Sequence, residues 1–263
     1  MPPRRPANLP VSAAPKAQEP KQESKPVQEQ KPVEVPNPAS ADAPGHVPVG
    51  ESDPSCLAAL IAAHGSDVRA ARLEPKPEAA CAVVEPVVVE ALTIGADSDR
   101  RRVALQPAVT LSCAMATSVT QWLETSVLPL VKGHFSRDLT ALRVGGGHEC
   151  RRRNRSANGQ LSEHATGRAL DVFAFVIGDG KTGDSRLGDD KTGNGKTANG
   201  KIDGTVVVEK PEGELQRLFL TAIRQSACGA FMTSLGPGSD AAHANHLHVD
   251  IQQRRSAASR FCQ

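Results

Sequence analysis

Tyrosine is absent from this sequence, tryptophan occurs once, at Trp122, and phenylalanine only six times. So few aromatics exclude a stacking platform for nucleic-acid bases or sugar rings. No run approaches the ~18 apolar residues of a membrane-spanning helix. The N-terminal stretch MPPRRPANLPVSAAP also lacks the apolar segment of a signal peptide, so an export signal or anchor is expected upstream of it or to have been removed. A charge excess of one sign is missing too. The 31 basic and 29 acidic residues leave a formal net charge of +2, which favours no nucleic-acid partner. No cysteine stands in a CxxC pair, which argues against zinc-finger and thioredoxin-like chemistry.

Six cysteines are present, Cys56, Cys81, Cys113, Cys150, Cys228 and Cys262. An even, scattered set suits disulfides in an oxidising compartment, and the pairing expected is sequential: Cys56–Cys81, Cys113–Cys150 and Cys228–Cys262. The bland alternative is six buried thiols in a cytosolic protein. Residues 1–51 are rich in Pro, Gln, Glu and Lys and bury too little apolar surface to fold. They read as a disordered linker, either a tether from a membrane anchor or a tail without a role. Residues 52–263 then form the folded domain, with an N-terminal subdomain over 52–110 and a core over 111–263.

Within that domain Asp53 and Pro54 begin a first helix carrying Leu57, Leu60 and Ile61 on one face and closing at Gly65. CAVVEPVVVEAL, from Cys81, is strand material interrupted by Pro86. A second helix is predicted from Ser112 to about Leu128, stopped by Pro129. A third runs over about 212–227, with Leu215, Leu218, Phe219, Ala222 and Ile223 as its apolar stripe and Gly229 after its end. Strands are predicted at 139–144, leading into Gly145-Gly146-Gly147, and at 169–177 and 246–251. The Gly-, Asp- and Lys-rich stretch 178–205 reads as a flexible insertion. Its GKT triplets do not meet the phosphate-loop spacing without forcing the register, and its aspartates lack EF-hand spacing. The fold class expected is α+β, an antiparallel sheet flanked by helices and held at its edges by disulfides.

Chemistry concentrates in two segments. In HLHVDI, period-2 alternation puts His246, His248 and Asp250 on one face and Leu247, Val249 and Ile251 on the other. In SEHATGRALDVFAF, His164 precedes a turn at Gly167, and Asp171 lies inside an apolar strand, where a carboxylate needs a cation or strong hydrogen bonds. If the two strands pair, Asp171 and His248 converge and His164 closes over them. Two histidines and one carboxylate leave a fourth position open, as in catalytic zinc sites. Singly, each residue has an ordinary reading, a hydrogen-bonded strand Asp or a satisfied core His; together they point to a metal.

Ser162-x-His164-x-x-Gly167-x-Ala169-x-Asp171 resembles the first zinc motif of the D-Ala-D-Ala metallopeptidases, and His246-x-His248 resembles the second motif of the wider lysostaphin, DD-peptidase and hedgehog superfamily. More closely, CRRRN, LSEHATGRALDVFAF, LGPGSDAAHANHLHVD and RFCQ are similar to the bacterial extensin-like C-terminal domain family over about residues 52–263. The resemblance implies a zinc-dependent peptidase acting on peptidoglycan stem or cross-link amides, periplasmic or otherwise exported. It implies His164, Asp171 and His248 as ligands, His246 as general base or transition-state stabiliser, and Arg151 as the group steadying the substrate carbonyl or oxyanion. Arg152 and Arg153 adjoin Arg151, and a solvated basic run is the alternative there. Ser162 is placed to orient the site or touch substrate, Asp250 and His243 to support the ligands, and Asp240 and His243 equally to build a structural turn. The chain departs from the family picture in its long insertion and in its N-terminal part, so the bond cut does not carry over. The second functional class is a non-catalytic zinc module binding the cell wall or a partner; the third is a disulfide-rich structural protein.

Overall fold

The structure, a computed structural model, describes residues 55–74, 79–95, 99–178, 195–196, 202–256 and 259–263. The predicted linker, Asp53 and Pro54, and most of the predicted insertion lie outside these residues. Helix α1 (Ser55–His64) leads into strands β1 (Val68–Ala70), β2 (Pro86–Ile94) and β3 (Arg101–Ser112). Proline opens β2 rather than interrupting a strand, as a residue without an N–H donor requires. Helix α2 (Cys113–Trp122) starts on Ser112, whose hydroxyl accepts from the Met115 N–H. The chain then continues through a π-turn (Leu123–Val127) into α3 (Leu128–Phe135).

This rod corrects the helix expected to stop at Pro129. The proline occupies the first turn of α3, where its missing donor is harmless, and the widened π-turn before it absorbs the change in hydrogen bonding. The rod ends at Ser136, which adopts the left-handed conformation at φ 54°. Strands β4 (Asp138–Gly145) and β5 (Ala169–Gly178) follow, then β6 (Gly195–Lys196), β7 (Ile202–Val207), α4 (Gly213–Ala230), β8 (Thr233–Leu235), β9 (Leu247–Asp250) and β10 (Phe261–Cys262).

All ten of these strands are linked through one sheet in the order β1-β2-β3-β4-β5-β9-β8-β10, with β7 also pairing β5 and β6 pairing β7. The sheet is mixed, not antiparallel throughout as expected. β3 and β4 run parallel because the α2–α3 rod carries the chain from one end of the sheet to the other between them. β10 runs parallel to β8. β1, β2 and β3 continue the same sheet as the metal-motif strands. The final part of the predicted insertion is ordered as β7, paired with Ala174–Ile177 of β5. The first half of β5 pairs instead with β9, so two strands divide one edge of β5 between them.

The core holds Trp122, Phe175, Phe219 and Phe231, all fully buried. Phe219 of α4 meets Phe175 of β5 and Phe135 of α3 edge-on, at 5.3 Å and 5.1 Å between ring centres, while the Trp122 indole N–H donates to Ser226 at 3.0 Å. The buried stripe of α4 is Gln216, Phe219, Leu220, Ile223 and Ala227. The predicted stripe was rotated from it: Leu215 and Leu218 are 38% and 52% exposed. Helix α4 also runs through Gly229 to Ala230. On α1 Leu60 is buried, but Ile61 faces solvent.

Disulfides join Cys56 to Cys113, Cys81 to Cys150 and Cys228 to Cys262. The first two overturn the sequential pairing. Adjacency in the fold decides: α1 packs on the start of α2, bringing Cys56 to Cys113, and the turn at Ala79–Cys81 packs near the loop that carries Cys150. Truncating the aromatic hub, Phe219→Ala, is expected to lower stability by about 3–5 kcal/mol in urea unfolding; a loss below about 1 kcal/mol contradicts this packing.

Candidate metal centre

Antiparallel pairing of β5 with β9 sets Asp171 directly opposite His248. A bulge in β5 at Phe173, where Arg143 pairs Ala174 but Val144 pairs Val172, changes the strand's facing. Leu170, Val172, Phe175 and Ile177 therefore enter the core, while Asp171 and Phe173 look out on the other face. Phe175 lies against α4. His164 arrives from a 3-10 turn, Glu163–Thr166, whose first N–H groups include one to the Ser162 hydroxyl at 3.4 Å. Gly167 ends that turn at φ 67°, and a Cβ there would stand 2.8 Å from the Ser112 nitrogen, so glycine is required.

The three predicted ligands meet. Asp171 Oδ1 is 2.8 Å from His248 Nδ1 and 3.3 Å from His164 Nε2, and the two nitrogens are 3.2 Å apart. Each ring has a partner on its other nitrogen. His164 Nδ1 lies 3.0 Å from the Gly147 carbonyl oxygen, which can only accept, so that nitrogen carries hydrogen and Nε2 of the neutral ring is bare. His248 is held between two carboxylates, Asp171 at Nδ1 and Asp250 at Nε2, the latter at 3.3 Å, and a neutral imidazole can donate to only one of them. A bare nitrogen and two carboxylates around one ring call for a cation, either a proton on His248 or a metal among the three groups.

A tetrahedral zinc with bonds of ~2.0–2.1 Å needs donors about 3.3 Å apart. Two of the three separations here match, and the third opens by about half an ångström. The donor set fits zinc, and the Asp250 and Gly147 partners supply the outer hydrogen bonds that orient metal-bound histidines. Gly146 makes room: at φ 57°, a Cβ would approach Asp171 Oδ2 to 2.9 Å. One other donor cluster exists among the described residues, Cys56, Glu85 and Cys113, but its two sulfurs are joined to each other.

Electrostatics agree with the geometry. Burial would raise the Asp171 carboxyl, but the combined influence of the His164 and His248 imidazoles outweighs it and holds the group well below the usual carboxylate range. Burial would lower His248, yet Asp171 and Asp250 outweigh it and push the imidazole up to about 9. Without a metal, a proton on His248 is the cation that the site recruits. His246 goes the other way, lowered chiefly by burial, so it stays neutral near pH 7.

The remaining predicted residues surround this triangle. His246 Nδ1 meets Asn245 Oδ1 at 2.8 Å, leaving Nε2 bare and 3.4 Å from Asp171 Oδ1. Its ring also lies against Phe173 at 5.2 Å. His243 bonds Asp240 at 2.8 Å and stacks beside His246 and His248 at 5.3 and 5.4 Å, so it walls the site without a hydrogen bond to a candidate ligand. Asp240 additionally accepts from the Ala242 and His243 backbone, building the turn. Arg151 donates from Nε to Glu149 at 2.8 Å. All of these except Glu149 line a cavity of about 620 Å³ with the ligand triangle in its wall.

Several residues of this site carried no recognised signal. Gly147 acts through its carbonyl, and Asn245 and Glu149 act by holding a neighbour, His246 and Arg151 respectively. Glu163, raised by burial and by Asp250, and Phe261 also line the cavity. The triple glycine after a predicted strand and the acid two residues before Arg151 were the visible hints.

The sequence matches the family described as Extensin-like protein C-terminus across residues 54–263. The chain belongs to that family. No curated protein and no solved structure matches it significantly.

A pH dependence follows from His248. Its folded value lies above the ordinary 6.5, so the proton's contribution to stability is complete below about 6.5 and disappears as pH rises through about 9. Thermal unfolding of chelator-treated protein is expected to fall between pH 7 and 10, whereas zinc-loaded protein, in which the metal replaces the proton, holds its midpoint over that window. Identical alkaline profiles with and without zinc would refute the assignment.

Proposed function

We propose that the protein is a zinc-dependent peptidase that hydrolyses amide bonds in the stem or cross-link peptides of peptidoglycan. The observation that carries this reading is the convergence of His164 Nε2, His248 Nδ1 and Asp171 Oδ1, with the other nitrogens of the two rings engaged by Gly147 and Asp250, beside an open cavity. The likeness of the Ser162–Asp171 and His246–His248 segments to the zinc motifs of the D-Ala-D-Ala metallopeptidases and their superfamily supports it and suggests the substrate class.

When bound, zinc would supply Lewis-acid polarisation of the scissile carbonyl and lower the pKa of a water. His164, Asp171 and His248 would hold it. His246 Nε2 takes the proton from the attacking water: it is bare, neutral at the operating pH and oriented by Asn245. The Nη groups of Arg151 steady the developing oxyanion, with its Nε anchored on Glu149. Ser162 contributes by fixing the turn that carries His164. A binding module would need the three ligands but not a fourth imidazole held with a free basic nitrogen beside them, so hydrolysis is favoured over mere wall or partner binding.

Three disulfides suit an oxidising compartment, and we place the protein outside the cytoplasm, in the periplasm or tethered there. No helix among the described residues is long and apolar enough to cross a membrane. Incubated with defined muropeptides and followed by mass spectrometry, zinc-loaded protein is expected to release stem fragments. His248→Ala should lose bound zinc and at least about a thousandfold in rate. Zinc retained in full without turnover by the unaltered protein would favour the binding module; full turnover by His248→Ala would end the hydrolytic reading.

A further inference from the structure

Four arginines line the cavity beside the metal centre: Arg151, Arg153, Arg155 and Arg254. Arg155 and Arg254 have their donors committed within the protein, and Arg151 commits its Nε, keeping its Nη groups for the developing oxyanion. Arg151 and Arg155 share the Glu149 carboxylate, at 2.8 and 3.0 Å to Oε2. Arg254 spans Gln252, Ser259 and Thr233 at 3.1, 2.6 and 2.8 Å. Arg153 differs. Its side chain is exposed and makes no hydrogen bond or ion pair with any described residue, though its charge is felt by Glu163.

The backbone under Arg153 is nevertheless held firmly. Residues 151–162 double back on themselves: Arg152 bridges Leu161, the Arg153 N–H donates to Gln160 at 3.0 Å, and Ser162 N–H donates to Arg151 at 3.1 Å. At the tip, Asn154 and Arg155 are both left-handed, at φ 52° and 54°, a conformation that arginine seldom adopts. The base is fastened by Cys81–Cys150. A strained, anchored arm that presents to a cavity a guanidinium engaged by no described residue is a feature expected of a ligand contact. The same cavity has an apolar element in Phe261, 44% exposed and fixed by the adjoining Cys228–Cys262 bridge.

We propose that Arg153 is a specificity-determining residue that binds a free carboxylate of the peptide substrate, with Phe261 receiving an aliphatic part of the same ligand. This rests on the peptidase reading for the identity of the ligand as a peptide. A guanidinium matches a carboxylate as a bidentate donor, which a carboxamide satisfies only in part. The pocket accordingly selects acidic stem peptides over amidated ones.

The test uses a purified stem peptide and the same peptide with its carboxylates converted to carboxamides. Two quantities are measured for the full chain and for Arg153→Gln: kcat/KM with zinc loaded, and affinity by calorimetry without metal. The unaltered protein should prefer the acid form by roughly three- to tenfold, the range of a partly solvated charge-assisted hydrogen bond. Arg153→Gln should bring that ratio close to one, and Arg153→Lys should retain part of it. The Arg153 side chain makes no hydrogen bond with a described residue, so thermal unfolding should be unchanged in both variants. A preference that persists in Arg153→Gln overturns the proposal, as does hydrolysis of both forms at equal efficiency by the unaltered protein, which leaves the peptidase reading intact. Arg153-dependent binding of the acid form without hydrolysis contradicts the peptidase reading and upholds the role of Arg153.

Discussion

Around Asp171 Oδ1 the chain brings two imidazole nitrogens to 2.8 and 3.3 Å, and it wedges His248 between that carboxylate and Asp250. A buried cluster of carboxylates and imidazoles is costly unless a cation sits among them. Much of the local architecture serves to hold that arrangement. Asp250 and the Gly147 carbonyl occupy the other nitrogen of each ring, so neither histidine can turn its donor inward without losing a partner. A proton on His248 answers the need in part; a divalent ion answers it for all three groups.

The fold delivers these groups by ordinary means. Register between β5 and β9 aligns Asp171 with His248, and the bulge at Phe173 lets one strand serve two faces. Below that bulge β5 faces the site; above it, Phe175 anchors the helical layer through Phe219. Because β7 takes the upper half of the same edge, β9 is confined to the lower half, where its histidines belong. Gly146 and Gly167 allow backbone to pass within a distance that any side chain would block. The disulfides fasten the periphery: Cys81–Cys150 secures the arm above the cavity, and Cys228–Cys262 secures the strand bearing Phe261.

Much of this was legible beforehand, and the reasons differ by element. Asp171 and His248 could be paired on paper because a carboxylate in an apolar strand and alternating histidines each demanded a partner, and antiparallel alignment offered one. β4, β5 and β9 announced themselves by composition. β3, rich in arginine at its start and carrying Pro107, did not read as a strand, and without it the parallel β3–β4 pairing was invisible. The α4 face was misjudged because Leu215 and Leu218 share the helical period of Phe219 and Ile223; only the position of the sheet decides which stripe is covered. Disulfide partners were hidden for a related reason, since they depend on which elements touch. Supporting contacts through a main-chain carbonyl, as at Gly147, leave no mark on residue identity.

The peptidase reading and the zinc ion both require the same three atoms to bind one ion. Anomalous diffraction at the zinc absorption edge, on crystals grown from zinc-loaded protein, locates that ion directly. The account expects a single strong peak about 2.0–2.2 Å from His164 Nε2, His248 Nδ1 and an Asp171 carboxylate oxygen. A peak bound elsewhere, or no peak with these three side chains ordered as they stand here, would contradict it.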